Sequence, residues 1–203
     1  MNELPKVTER TVYDWTICYP RIVQLILLPI QASLDCSILD KLANDISREF
    51  ENIKLTLDIR VELQTAATSF PFSINKRRNQ WNSFKILEWL EKCRPNKATK
   101  ILGIFDIDAY TAGFDFVFGE AFYKGRVAAV YLSRLRQEFY GLKPNPSLFY
   151  ERLVKEAIHE LGHVFGFGHC KNSRCVMHFS TSLLDIDKKG RAFCPSCRKK
   201  KFR

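Results

Sequence analysis

From Ile53 to Leu63 apolar and polar residues alternate without a break. Ile53, Leu55, Leu57, Ile59, Val61 and Leu63 hold the odd positions, and every even position is polar. A period of two puts all six apolar side chains on one face, so the segment predicts a half-buried strand. Arg21–Ile30 is a largely apolar run and predicts a buried strand. Between the two, Leu34, Ile38, Leu39, Leu42 and Ile46 recur at helical spacing, which predicts a helix to about Phe50 with Ser33 as its N-cap. Residues 64–76 form a loop around Pro71. Trp81, Phe84, Leu87 and Leu90 then mark an amphipathic helix, and Lys100–Ile107 a third strand.

Phe114–Gly119 and Val127–Ser133 are two further strand-like runs, and Gly125 fits the turn of a hairpin between them. Most of the phenylalanines read as core. Asp106 and Asp108, at the end of the third strand, read as loop-capping groups rather than catalysts. Asn145-Pro146 supplies an N-cap and a proline pre-shaped for the first helical turn. The longest helix should therefore run from about Pro146 to Gly166, anchored by Leu148, Leu153, Ile158 and Leu161. Strands and helices in this order predict an α/β (α+β) fold.

The 203 residues, 46% of them hydrophobic, suffice for one core and one domain. The apolar run Ile22–Ile30 is too short to span a bilayer and is interrupted by Gln24. It also lacks the layout of a secretory signal, so a cytoplasmic chain with no membrane contact is expected. Seven cysteines in that compartment argue for metal ligands or free thiols. The net charge of +10 changes meaning once it is located. Eight of the Lys and Arg residues fall within 188–203, which contains no acid, and the rest of the chain is close to neutral. A terminus such as Arg198–Arg203 reads first as solvated and second as a contact for nucleic acid.

Chemistry concentrates between His159 and His169, which hold three of the four histidines. His159 and His163 are one helical turn apart on a common face, the spacing two imidazoles need to share a zinc ion. Glu160 is then placed to reach a water at the open position rather than the metal itself. Gly166 ends the helix in a left-handed turn, and the chain returns His169 as third ligand. Three protein ligands with a fourth position open mark a catalytic zinc. Cys170, Cys175, Cys194 and Cys197 follow directly, four soft ligands for a closed, structural zinc that would brace residues 170–197. Two ions per chain are therefore expected. Cys18, Cys36 and Cys93 remain and read as buried small apolar groups. Met177, the only methionine besides Met1, lies where the chain should loop back beneath the first zinc.

These residues, His159, Glu160, His163, Gly166 and His169 followed by Cys170, Cys175, Met177, Cys194 and Cys197, resemble those of the archaemetzincins, a group of metzincin-clan zinc metallopeptidases. The resemblance implies a twisted, mostly parallel sheet with packed helices in an upper subdomain, 1–166. A small zinc-braced lower subdomain, 167–203, would carry a Met-turn at Met177. Peptide or protein substrate would lie extended along an edge strand, for which Phe114–Tyr123 is the candidate, in a monomeric enzyme. Glu160 would act as general base and acid in peptide-bond hydrolysis. Phe179 stands where astacin-like enzymes carry a tyrosine whose hydroxyl approaches the zinc, so that hydroxyl is missing here. The competing reading is a non-catalytic zinc module that contacts nucleic acid or peptides through the cysteine segment and the basic tail.

Overall fold

The computed structural model describes residues 22–200 apart from 31, 33 and 64–69. Arg21, Ser33, Cys18 and the last three residues of the basic tail lie outside the described residues. A five-stranded mixed sheet is built from β1 (Ile22–Ile30), β2 (Thr56–Val61), β4 (Lys100–Phe105), β6 (Gly119–Ala121) and β7 (Val127–Tyr131), in the order β2-β1-β4-β7-β6. β1, β2, β4 and β7 are parallel, and β6 is an antiparallel edge. β3 (Trp81–Asn82) and β5 (Ala109–Tyr110) form a separate parallel pair.

Helices α1 (Cys36–Glu51) and α3 (Pro146–Val164) cover one face of the sheet and α2 (Ser83–Cys93) the other. β1 serves both layers, with Leu25 and Leu27 in the first core and Ile26, Leu28 and Ile30 in the second. This two-sided burial is why β1 reads as an apolar run while β2, at the edge, alternates. Two short helices, α4 (Leu183–Lys188) and α5 (Pro195–Arg198), belong to the segment that follows α3.

Several expectations change. Asp35 caps α1, its Oδ1 accepting the Ile38 N–H at 2.9 Å. The alternating strand pairs only over Thr56–Val61. Ile53 and Leu55 are buried, but both their N–H groups bond to Phe50 O in the turn that ends α1. Trp81 is not helical: it pairs with Ala109, and Asn82 caps α2. Phe84 lies on the outer side of α2, 49% exposed and touching Phe122. The hairpin partner of β7 is Gly119–Ala121, later than the phenylalanine run, because Arg78 and Gln80 take the carbonyls of Phe114 and Asp115 out of any ladder. Cys36 and Cys93 are exposed, not buried. Each occupies an end of its helix, α1 or α2, away from the apolar stripe. Asp106 and Asp108 have partners no local spacing reveals: Arg136 at 2.9 Å and Arg134 at 2.6 Å.

Candidate active site

The long helix α3 starts as its sequence requires. Asn145 Oδ1 accepts the Leu148 N–H at 3.0 Å and Pro146 occupies the first turn. It stops at a Schellman arrangement: Gly166 has φ +88°, its N–H bonds to His163 O, and the Phe167 N–H bonds to Gly162 O. That reversal turns the chain back along the helix and brings His169 to the other two histidines. The ligand atoms of His159, His163 and His169 all lie within 4.8 Å of one another.

The fit to a metal ion can be tested on the imidazoles themselves. His159 donates from Nδ1 to Val176 O, and His163 from Nδ1 to Phe167 O, each at 2.8 Å. These bonds fix the tautomer and leave both Nε2 atoms as free acceptors, 3.1 Å apart. Nitrogens on a tetrahedral zinc at about 2.05 Å are separated by about 3.3 Å. Burial drives the protonation of all three histidines downward, that of His163 to about 4, so the neutral form that binds metal is the resident one. The fourth histidine, His178, is not in the cluster; its Nδ1 bonds to Cys170 O at 3.0 Å.

Met177 is fully buried beneath this face of α3. A Cβ on Gly162 would lie 2.4 Å from its Sδ, so only glycine lets the thioether lie against the helix between the two histidine turns. Glu160 is buried beside β6, and a Cβ on Gly119 would lie 2.6 Å from its Cγ. Burial, then the nearby Glu156, push the Glu160 carboxyl well above the usual range, and Lys189 opposes them. A cavity of about 660 Å³ opens over these groups, lined by the three histidines, Glu160, the β6 strand and residues 179–181.

The second cluster is equally compact. Cys170 and Cys194 sulfurs are 3.8 Å apart, as are those of Cys175 and Cys197, and all four lie within 4.8 Å of one another. Thiolates on a tetrahedral zinc at about 2.3 Å are separated by about 3.8 Å. A disulfide would need about 2.05 Å. The Cys170 N–H bonds to Met177 O at 2.8 Å, so the loop carrying Met177 is closed between the two clusters.

Several residues that build this region carried no local signal. Lys189 and Glu156 form an ion pair at 2.7 Å with side-chain exposures of 0% and 4%. Arg152 holds Asp187 through two bonds of 2.7 Å, and Arg191 binds Glu151 and Asp45. One polar face of α3 is thus stitched to residues 187–191. Lys189 and Arg191 of the basic end are thus built into the fold, while Arg198, Lys199 and Lys200 are exposed, Arg198 Nε donating to Phe193 O at 2.7 Å. Gly119 could have been found only by knowing that β6 lies against Glu160.

A model of peptidase family M54 matches residues 23–203, a span that includes both clusters. The chain belongs to peptidase family M54. The archaemetzincin of Methanocaldococcus jannaschii is 46% identical over 129 residues, covering 64% of this chain and 70% of that protein. The crystal structure of archaemetzincin from Methanopyrus kandleri superposes with a TM-score of 0.72 at 32% identity, covering 87% of this chain and 92% of that one. A zinc-dependent peptidase from Methanocorpusculum labreanum gives 0.73 at 28% identity, covering 86% of this chain and 97% of that one. As an M54 peptidase with archaemetzincin relatives, the chain is a zinc metallopeptidase that acts on peptides. Among the described residues no helix is long and apolar enough to cross a membrane.

Proposed function

We propose that His159, His163 and His169 hold the catalytic zinc of this M54 peptidase and that Glu160 is its general base and acid. The observation that carries the reading is the convergence of three imidazole nitrogens, two with their other nitrogen tied to a carbonyl, beside one buried carboxylate. Zinc bound there supplies Lewis acidity that polarises the scissile carbonyl and lowers the pKa of a water toward about 7. Glu160 takes the proton of the attacking water on its carboxylate and delivers it to the leaving amine nitrogen. Gly119 leaves the space in which that carboxylate stands. The backbone of the short edge strand β6 offers an extended peptide a partner.

Cys170, Cys175, Cys194 and Cys197 would hold a second zinc. Four sulfurs leave no open position, so its work is to brace the segment after Gly166. Residues 1–166 and 167–203 then act as upper and lower subdomains of one domain, with Met177 as the turn beneath the upper zinc. We infer a cytoplasmic monomer that acts on peptide, with contact between the basic tail and nucleic acid the weaker reading. The non-catalytic reading has nothing in its favour, because a purely structural ion has no use for a buried carboxylate beside it.

The test is a peptide-library digest by zinc-loaded protein, read by mass spectrometry, run beside Glu160→Gln. The variant keeps its zinc, and its turnover falls by roughly 10²–10⁴-fold, the worth of a positioned acid–base group. Equal turnover in both proteins sinks the role given to Glu160. The product ends also decide between trimming of amino termini and internal cleavage.

A further inference from the structure

One wall of the cavity leads into a hairpin tip that carries cations. Tyr123, 57% exposed, lines the cavity, and its hydroxyl donates to Gly166 O at 2.9 Å. The next residue, Lys124, is exposed and has a left-handed backbone, φ +54°. Its N–H bonds to His163 O at 3.0 Å, and a Cβ on Gly166 would lie 3.2 Å from its Cγ. Lys124 is thus fastened over the chain reversal that ends α3, one residue beyond the cavity wall.

Two further cations gather beside it. Ile101 lies opposite Val127 in the parallel ladder, and its N–H bonds to Arg126 O at 2.9 Å, so Lys100 and Arg126 are neighbours across the strands. Lys100 Nζ donates to Gly125 O at 2.9 Å and lies 4.9 Å over the Phe165 ring. Burial, then the charges of Arg126 and Arg94, lower the Lys100 pKa to about 8. Arg94 is paired with Glu91, but among the described residues no carboxylate pairs with Lys100, Lys124 or Arg126. The cavity wall nearer the histidines has the opposite sign. Glu120, Glu156 and Glu160 line it, with Glu156 held by Lys189 and Glu120 accepting from Thr111 Oγ1 at 3.0 Å. An acidic side chain meets carboxylates along that wall and unpaired cations at the tip.

We propose that Lys124 and Arg126, backed by Lys100, bind a carboxylate of the peptide substrate at the hairpin end of the groove. This rests on the peptidase reading and adds a substrate class to it. Lys124 is five residues beyond Gly119, which lies against Glu160. An extended peptide laid along β6 advances about 3.3 Å per residue, as the strand does, so the carboxylate sits about three to five residues from the bond that is cut. One exposed ion pair is worth little in water. Here the carboxylate also offsets the repulsion between Arg126 and Lys100, which no protein group does.

The experiment uses the full-length zinc-loaded chain and amidated peptides of one sequence, with Asp, Ala or Lys placed in turn at each position two to six residues from the bond cut. At one position Asp should give a KM roughly 3–10-fold below that for Lys with kcat alike, as binding shared by ground and transition states requires. The ratio should fade as salt shortens the Debye length. Lys124→Glu and Arg126→Glu should reverse it. Lys124→Asn, which suits the left-handed backbone, should remove most of it and covers the case in which the glutamate variants fold poorly. Lys76→Glu, exposed and outside the cavity lining, should leave it alone. A preference seen only when the C-terminus is left free assigns the same cations to a chain-terminal carboxylate. Fluorescence anisotropy of the peptides on Glu160→Gln reads the order without turnover. A flat profile, a preference that salt or Arg126→Glu does not move, or displacement of the acidic peptide by a short RNA that binds more tightly overturns the carboxylate subsite. Absence of any cleavage by wild type, with the binding order intact, overturns the peptidase reading instead.

Discussion

The carboxylate of Glu160 lies against the backbone of Gly119: a Cβ built on that glycine would sit 2.7 Å from Oε1. Glu160 comes from α3 and Gly119 from the edge strand, so the position of the proposed base is set by how closely helix and strand approach. The pair also places that base beside the strand on which a peptide would lie.

Gly119→Ala therefore displaces the carboxylate without touching a zinc ligand. Turnover should drop by about 10–100-fold, the cost of a misplacement near 1 Å in a catalytic group. Zinc content should match wild type by metal analysis. Unchanged kcat would show that the carboxylate tolerates the shift and that the close approach is only packing.

Metal removal should separate the two clusters. Metal analysis is expected to give two zincs per chain. A chelator should strip the three-imidazole ion first, and activity should vanish while the thermal unfolding transition shifts little. Replacing Cys194 and Cys197 together by Ser should instead unfold the segment after Gly166 and release Met177 from beneath α3. A serine double variant that is folded and active would make the cysteine zinc dispensable.

The buried Lys189–Glu156 pair gives a stability prediction. Lys189→Met leaves a carboxylate of 4% exposure with no counter-charge. Breaking such a pair costs about 3–5 kcal/mol. For a chain of this size that corresponds to a drop in Tm of roughly 6–20 °C by calorimetry. Adding Glu156→Gln should restore a good part of the loss. A single variant as stable as wild type would mean that the pair contributes nothing to docking residues 187–191 on α3.

Legibility followed the range of the interactions. Both side-chain groups that could hold a metal ion could be read from the chain because their geometry is largely local. One helical turn separates His159 from His163, a single reversal at Gly166 returns His169, and each cysteine pair sits on a short loop. The helix that carries the histidines was equally plain, since Asn145, Pro146 and Gly166 act within their own turns.

What escaped were contacts between segments distant in sequence. Nothing near Lys189 marks it as buried, because its reason is Glu156 on another element. Phe114–Gly119 looked like a strand by composition, yet Arg78 and Gln80 from a remote loop claim the carbonyls of Phe114 and Asp115, and the edge strand is Gly119–Ala121. The period of two from Ile53 to Leu63 was real as a burial pattern, but the bond from Leu55 N–H to Phe50 O cut the strand short. Sequence by itself determined the grouping of the histidines and cysteines, the helix that carries His159 and His163 and the α/β class, because these depend on spacing along the chain. Only the tertiary structure decided which carbonyls and charges found partners, and so where the base stands and what walls the cleft, because those energies arise between surfaces that meet only after folding.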